Sequence, residues 1–448
     1  MSQKRPNVLV VLSDQHRAQA VGYAGNADVQ TPNLDALART SVSFQTAVST
    51  VSVCSPARAS LLTGQYATSH GLIVNDVPLE PSITSIADAM AREGYDTAYI
   101  GKWHVDGQSW GSYIPAERRH GFRFWRVSEC THEYNDSYYW DQYGTRKRWE
   151  GYDAFAQTQC AKEYLRERDA SKPFLMFLAW GPPHDPYSTA PPSFQSLYEE
   201  SSIDLLPNVP QEHTGRARRD LAGYYSHVSA LDACMGDLLA ALSEQRLLED
   251  TIVVYTSDHG AMLGSQGLLT KQMPWDESIL VPLIMRYPEM DTEHGRVIRA
   301  PFSTVDLMPT LLDMCGVGIP DSVEGRSYAP LLRNEAPAPR DCALIACIQP
   351  FGSWGKIHGG REYRGVRTER YTYVRDLRGP WLLYDNAADP YQLHNRVGDP
   401  ALSGVEGYLE EQLSCMLAEC GDQFLAGEDY IRQFGYRVDE TGRVPIVH

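Results

Sequence analysis

Long hydrophobic runs, paired cysteine motifs and a positive charge balance are all missing from this sequence of 448 residues. Because no apolar run approaches about 20 residues, we expect no membrane-spanning helix. The N-terminal apolar stretch, residues 8–12, is short and lacks a small-residue cleavage site, so we expect a buried strand and not a signal peptide. The formal net charge of −17 disfavours nucleic acid and anionic membranes as partners.

The nine cysteines are scattered without the spacing of a metal-binding or redox pair. An odd count without a signal sequence favours reduced thiols and a cytoplasmic location. Hydrophobic content of 43% and charged content of 22% are those of an ordinary globular protein with a large core. An acidic protein of this kind binds an anionic substrate only where a metal ion or clustered Lys and Arg reverse the local charge.

Four short apolar runs, at residues 7–12, 95–100, 173–180 and 251–256, are each followed by polar residues. Continuous aliphatic and β-branched runs are typical of central strands in a parallel sheet, and helical patterns lie between them at 33–44, 82–94 and 221–248. We therefore predict an α/β fold with a large, mostly parallel sheet flanked by helices. Because ligands collect at the carboxyl ends of such strands, the four polar clusters predict one composite site.

A Pro-rich stretch at residues 335–340 predicts a linker. Beyond it, residues 342–348, 362–375 and 380–385 have the pattern of antiparallel strands, and a helix is predicted near 404–420. We predict a catalytic domain over residues 1–340 and a smaller C-terminal α+β subdomain, with a tail, over 341–448. Residues 107–152 are rich in aromatics, which predicts either a loop packed on its own side chains or a wall that faces a sugar substrate.

The most informative motif is Cys54-x-Pro56-x-Arg58, within residues 54–64. Pro56 fixes φ and lacks an N–H, which suits the first turn of a helix. Cys54 would then lie at a helix N-terminus, where the dipole favours an anion, and Arg58 would lie one turn on. A buried cysteine before a Pro-initiated helix is the alternative interpretation of this motif alone.

Over nearly the whole chain, the ordered motifs resemble the type I, formylglycine-dependent sulfatases of the alkaline phosphatase superfamily. The matching segments are the region of Asp14, residues 54–64, Gly101-Lys102-Trp103-His104, Ser257-Asp258-His259-Gly260 and residues 383–395. The resemblance implies an alkaline phosphatase-like fold and a maturation enzyme that oxidises Cys54 to formylglycine. A hydrated aldehyde offers two hydroxyls, one to attack sulfur and one to expel sulfate afterwards.

The resemblance also implies one divalent cation, usually Ca²⁺, with Mg²⁺ or Mn²⁺ as alternatives. Its ligands would be Asp14, Gln15, Asp258, His259 and an oxygen of the modified Cys54. Hard oxygen donors fit Ca²⁺. Many relatives have Asp in place of Gln15 and Asn in place of His259. Because imidazole suits softer metals, two alternatives stay open for His259: a hydrogen bond to the substrate's sulfate, or a position next to the metal ligands without contact to the metal.

For catalysis, the resemblance implies that Arg58, Lys102 and Lys271 stabilise sulfate oxygens and that His104 contacts the formylglycine diol. Lys102 and His104 lie two residues apart, which on extended chain points both to one side. His184 follows a buried strand and is predicted to be a general acid or a sulfate ligand. Five further residues are predicted to be surface or structural: His16, Arg17, His70, His132 and His227.

These observations predict a sulfatase that hydrolyses a sulfate ester, or an N-sulfate, on a small organic or saccharide substrate. Two alternatives are a phosphonate monoester or phosphodiester hydrolase of the same superfamily, and a non-catalytic anion-binding protein with this fold. The pair Lys102 and His104 weighs against the first, and the complete set of catalytic residue types weighs against the second. The substrate's identity and any homo-oligomer are left open.

Overall fold

The computed structural model describes residues 5–287 and 294–445. Within these ranges, no helix combines the length and the apolar character needed to cross a membrane. The nine cysteines are free thiols, and eight of them are buried or half-buried. The cytoplasmic location stays a prediction.

Sixteen strands in the described part of the chain form three sheets. In chain order they are β1 (Asn7–Ser13), β2 (Val42–Phe44), β3 (Ala47–Val48), β4 (Asp96–Lys102), β5 (Phe124–Ser128), β6 (Tyr138–Asp141), β7 (Arg146–Arg148), β8 (Phe174–Ala179), β9 (Thr251–Ser257), β10 (Leu283–Arg286), β11 (Arg296–Ile298), β12 (Phe302–Ser303), β13 (Cys342–Cys347), β14 (Tyr363–Thr368), β15 (Tyr371–Asp376) and β16 (Gly379–Asp385). The large sheet has ten strands in the order β11-β2-β10-β9-β1-β8-β4-β5-β6-β7. Its five central strands, from β9 to β5, are parallel, which confirms the predicted fold class.

Over residues 5–287 and 294–445, twelve α-helices accompany the sheets: α1 (Pro32–Arg39), α2 (Cys54–Thr63), α3 (Ala67–His70), α4 (Ile86–Arg92), α5 (Asp153–Glu167), α6 (Pro192–Gln195), α7 (Thr214–Glu244), α8 (Asp276–Ile279), α9 (Leu307–Met314), α10 (Ala329–Leu332), α11 (Ser403–Glu419) and α12 (Gly427–Phe434). The predicted helix at 33–44 is wrong in its second half, because Val42–Phe44 is strand β2. The chain leaves α1 at Thr40, and β2 pairs with β10 and β11. Sheet pairing here overrides a helical pattern.

Strand β1 shows why the centre of the sheet is apolar on both faces. All seven of its residues are buried, and it pairs with β8 on one side and with β9 on the other. Val8 and Val10 pack into one hydrophobic layer, whereas Leu9 and Val11 pack into the layer on the opposite face. Each such side chain contributes roughly 1.5–3 kcal/mol by burial. The continuous apolar run therefore places the strand in the middle of the molecule.

The C-terminal region forms a four-stranded antiparallel sheet, in the order β13-β14-β15-β16, against which α11 packs. This confirms the predicted antiparallel strands and helix, while the domain boundary at residue 340 stays a prediction. The chain after Gly427 begins with α12 and continues over the large domain, where the Tyr436 hydroxyl donates to the Gly71 carbonyl. Tyr430, Ile431, Phe434 and Tyr436 pack against the main hydrophobic layer.

Most of the aromatic stretch at 107–152 packs on itself. Trp125, Tyr134 and Trp149 are buried, and Tyr139 stacks on Trp149 at a centroid distance of 4.0 Å. Trp110 differs, because it lines a cavity that also contains Cys54. Trp110 therefore fits the substrate-facing alternative, and the buried Trp and Tyr residues fit the self-packed loop.

Candidate active site

The predicted site residues meet at the carboxyl edge of the large sheet. Asp14 directly follows β1, Asp258 directly follows β9, and Lys102 is the last residue of β4. Helix α2 begins at Cys54, as its Pro56 predicts, and it brings Arg58 to the same edge. The structure brings all ten predicted residues together here. Their individual roles in catalysis stay predictions.

A buried network of charges forms the floor of the site. Arg58 donates from Nε to Asp258 Oδ2 at 2.9 Å and from Nη2 to Asp14 Oδ2 at 3.1 Å. Lys102 Nζ lies 2.7 Å from Asp14 Oδ2. Burial opposes the ionisation of Asp14, yet Lys102 and Arg58 hold the pKa of its carboxyl well below its usual range. Fully paired charges of this kind are costly to break, because one partner would be left buried and uncompensated.

Cys54 lies above this floor among cationic groups. Its Sγ is 3.1 Å from Lys271 Nζ and 3.2 Å from His259 Nε2. Burial alone would raise the pKa of the Cys54 thiol, but Lys271 and Lys102 lower it well below its usual value. The position thus stabilises negative charge on whatever atom occupies it, as a nucleophile needs.

His184 and Lys271 form a proton-sharing pair beside Cys54. Nδ1 of His184 lies 3.0 Å from the Asp185 carbonyl, which only accepts, so this nitrogen carries the proton. Its Nε2 therefore accepts from Lys271 Nζ at 2.6 Å. Because Lys271 Nζ also contacts Cys54, its protons lie within reach of both the nucleophile position and His184.

His104 is held from a direction that the sequence does not indicate. Its Nε2 lies 3.2 Å from Asp76 Oδ1, which also accepts from Trp110 Nε1 at 2.9 Å. The extended geometry expected for Lys102 and His104 is wrong, because β4 ends at Lys102 and His104 has φ 59°. Lys102 consequently lies under Asp14, whereas His104 lines the cavity.

Four non-glycine residues that line the cavity adopt left-handed backbone conformations: Gln15 (φ 67°), Asp76 (φ 65°), His104 (φ 59°) and Gln272 (φ 77°). Such residues cost free energy and persist where the surrounding contacts fix them, often at functional sites. At Gln15 the conformation is fixed by its N–H, which donates to Asp258 Oδ1 at 3.0 Å.

The donor set fits a divalent cation. Ligand atoms of Asp14, Cys54, Asp258 and His259 all lie within 4.8 Å of one another. Gln15 leaves its buried Oε1 without a partner among the described residues. Nδ1 of His259 donates to the Gly260 carbonyl at 2.9 Å, which leaves Nε2 free to bind a metal, as ligand histidines commonly are held. Carboxylates and an amide favour Ca²⁺ or Mg²⁺, while the imidazole broadens the choice.

The cavity above Cys54 has a volume of about 300 Å³. Sequence reasoning missed several residues that line it, namely Val74, Asn75, Asp76, His132, Asp185, Phe351, Ser353, Arg443 and Val444. His132 is a correction, since it stacks on His184 at a centroid distance of 4.6 Å and lines the cavity. His16, Arg17, His70 and His227 are buried, so the structural interpretation holds for them and the surface interpretation is wrong.

Comparison with known proteins identifies the family. The sulfatase family model matches residues 6–317, and a model of the C-terminal region of N-sulphoglucosamine sulphohydrolase matches residues 264–419. An ulvan-active sulfatase from Formosa agariphila is 40% identical over 437 residues, which cover 96% of this chain and 85% of that protein. The chain belongs to the sulfatase family and is a sulfuric ester hydrolase.

Two solved structures bear on the substrate. One, in complex with its substrate D-glucosamine-2-N,6-O-disulfate, has a TM-score of 0.83 at 25% identity and covers 94% of this chain and 99% of that chain. A phosphonate monoester hydrolase from Agrobacterium radiobacter has a TM-score of 0.77 at 25% identity, with coverage of 93% and 96%. The fold is therefore shared by both ester chemistries, and the substrate has to be argued from the site.

Proposed function

We propose that this protein hydrolyses a sulfate ester on a saccharide, using formylglycine derived from Cys54 and one divalent cation, preferably Ca²⁺. The observation that carries the proposal is the position of Cys54. It begins helix α2, contacts Lys271 and His259, and lies within the group of candidate metal ligands at the base of the cavity. The relatives that act on ulvan and on glucosamine disulfate support a saccharide substrate.

The cation, held by Asp14, Gln15, Asp258 and His259, would supply positive charge beside the sulfate oxygens. Formylglycine would supply a hydrated aldehyde as nucleophile at the position of the Cys54 sulfur. Overall, one water and one sulfate ester give an alcohol and inorganic sulfate, with cleavage of the S–O bond.

The chain's own residues divide the remaining work. Lys271 Nζ, 3.1 Å from Cys54 Sγ, neutralises charge on the transferred group. Arg58 and Lys102 bind the carboxylate oxygens of Asp14 and thereby fix its orientation and keep it ionised. In this arrangement Lys102 does not line the cavity, so its contribution to sulfate is through the local field and not through a contact.

The leaving alcohol needs a proton on its bridging oxygen, and the Lys271–His184 pair holds one. His184 is 6% exposed, lines the cavity and lies with its Nε2 2.6 Å from Lys271 Nζ, so the pair is placed to donate a proton to a leaving oxygen in the cavity. On the other side, Asp76 accepts from His104 Nε2 and so orients the ring as a base for the diol.

The proposal is tested by mass spectrometry and turnover on the same preparations. Protein co-expressed with a formylglycine-generating enzyme should show replacement of the Cys54 CH₂SH group by CHO and should release sulfate from sulfated saccharides. Protein expressed without that enzyme should retain the thiol and be nearly inactive. Full activity with unmodified Cys54 would refute the nucleophile assignment.

A parallel assay with a phosphonate monoester separates the two ester chemistries. We expect the matured protein to have the higher kcat/KM on sulfate esters. Faster hydrolysis of the phosphonate would contradict the substrate proposal while leaving the maturation result intact. Chelation followed by addition of Ca²⁺, Mg²⁺ or Mn²⁺ identifies the ion, because a carboxylate-rich site should regain activity with the metal it binds.

A further inference from the structure

The C-terminal tail completes the cavity at the end opposite to Cys54. Arg443 and Val444 line the cavity together with Phe351, Gly352 and Ser353 from the C-terminal region. Ser353 and Arg443 are exposed, whereas Cys54 is 1% exposed. The cavity thus has a buried end, where the ester bond would be cleaved, and a solvent-facing rim.

The tail is fixed in place at this rim. The Asp439 carboxylate accepts from the Thr441 N–H at 2.8 Å and from the Arg443 N–H at 3.0 Å. The Asp439 N–H donates to the Arg443 carbonyl, and the Gly352 N–H donates to the Thr441 carbonyl. The bonds within residues 439–443 fix the backbone of Arg443, and the bond from Gly352 joins this turn to the loop at 352.

Gly352 leaves space for the guanidinium of Arg443. It has φ 58°, and a Cβ at this position would come within 2.8 Å of Arg443 Nη2. Any other residue would have to displace the Arg443 side chain from the cavity rim. The absence of a side chain at 352 therefore allows the Arg443 guanidinium to lie close to the backbone at the cavity rim.

Arg443 also differs from the other charged groups of the cavity in having no ion-pair partner among the residues that the structure describes. Asp76 is bonded to His104 and Trp110, and Asp185 lies 3.1 Å from Nδ1 of His184. Lys271 Nζ donates to Cys54 Sγ and to His184 Nε2. An arginine with free donors in a ligand cavity suits a planar carboxylate or a sulfate, which accept two parallel N–H bonds.

We propose that Arg443 binds a second anionic group of the substrate, a carboxylate or a second sulfate, while the reacting sulfate lies at Cys54. This inference rests on the proposed function and narrows it to acidic or multiply sulfated saccharides. The volume of about 300 Å³ is at the small end of ligand pockets, which suits one saccharide unit spanning both ends. Trp110 and Phe351 also line the cavity and offer aromatic side chains to a sugar ring.

The test compares Arg443→Gln with wild type on four substrates: 4-methylumbelliferyl sulfate, N-acetylglucosamine 6-sulfate, a sulfated disaccharide that contains a uronic acid, and glucosamine disulfate. For the doubly anionic substrates we expect kcat/KM to fall roughly 10–100-fold, mostly through KM, because a hydrogen bond to a charged group is lost. For the first two substrates kcat/KM should stay within about twofold. The losses of kcat/KM on the uronic acid substrate and on glucosamine disulfate are then compared, which shows whether Arg443 prefers a carboxylate or a second sulfate.

Arg437→Gln is the matched control, because Arg437 is an exposed arginine of the same tail and does not line the cavity. Calorimetric titration of Cys54→Ser protein, with and without Arg443→Gln, measures binding of the same ligands without turnover. Equal binding and equal kcat/KM in both backgrounds would overturn the proposal, as would an equal loss on all four substrates. A wild-type protein that cleaves none of them refutes the proposed function itself, whatever the titration shows.

Discussion

The two ends of the cavity are built in different ways. The buried end consists of Asp14 and Asp258, which directly follow strands β1 and β9, and of Arg58 in helix α2. These three side chains are at most 1% exposed. The rim consists of loop residues and the C-terminal tail, and it includes exposed Ser353 and Arg443. The buried end matches what every member of the family has to do, namely transfer sulfate. The rim is where we propose that this chain binds the second anionic group of its substrate.

The largest effect is expected at the buried end. Asp258→Asn removes a candidate metal ligand and one of the two carboxylates that neutralise Arg58. We expect turnover of every sulfate ester to fall roughly 10³-fold or more, beyond the 10–100-fold typical of outer-sphere changes. Metal content measured by inductively coupled plasma mass spectrometry should fall with it.

Asp237→Asn serves as the control for that variant, because Asp237 is 68% exposed and is not one of the candidate metal ligands. Thermal melts separate loss of metal from loss of fold, since an unpaired buried charge costs about 3–5 kcal/mol. Normal metal content with normal turnover in Asp258→Asn would contradict the metal assignment.

The next largest effect distinguishes His184, which is proposed to protonate the leaving oxygen, from Lys102, which belongs to the buried charge network. His184→Ala should slow alkyl or sugar sulfates roughly 10²-fold, the usual range for loss of a general acid, and should slow an activated aryl sulfate far less. Lys102→Ala should slow both about equally, because Lys102 contacts Asp14 and not the cavity. Equal losses with both substrates in His184→Ala would assign the acid to Lys271 or His104.

A smaller effect is expected between the two ends, at Asp76. Asp76→Asn keeps an acceptor for His104 and Trp110 but removes the charge that favours a protonated His104 ring. We expect kcat to fall about tenfold with KM unchanged. Trp110→Phe removes the other bond to Asp76 and should alter KM for saccharides more than kcat. A KM effect without a kcat effect in Asp76→Asn would exclude orientation of His104.

The smallest effect on activity, and a measurable one on stability, is expected at Glu129, which lies behind His104. Burial raises the pKa of Glu129 to about 7, although the positive charge of His104 acts to lower this pKa. Because the native state then holds the proton more tightly than the unfolded state, its stabilising contribution is complete below about pH 4.5 and is lost as the pH rises through 7. The difference is on the order of 3 kcal/mol.

Glu129→Gln should therefore flatten the dependence of the melting temperature on pH between 5 and 8, while kcat stays close to wild type. Glu133→Gln, at an exposed position in the same loop, should leave the pH dependence as it is. A wild-type slope in Glu129→Gln would show that Glu129 ionises normally in the folded protein.

The sequence by itself determined the parallel sheet and the residues of the buried end. Asp14 and Asp258 each follow a strand with a continuous apolar run, so local order along the chain places them at strand ends. Pro56 places Cys54 at a helix start and Arg58 one turn further on. The helical pattern at 33–44 failed because pairing of Val42–Phe44 with two other strands outweighs local periodicity.

Only the tertiary structure decided the rim. Asp76, His132 and Arg443 follow no strand and share no motif, and they meet because separate loops and the C-terminal tail fold over the same cavity. The left-handed backbone at Asp76 and His104 likewise depends on contacts from distant segments. Strand ends are fixed by contacts that local pattern predicts, whereas loops are fixed by contacts between residues far apart in the chain, which local pattern does not specify.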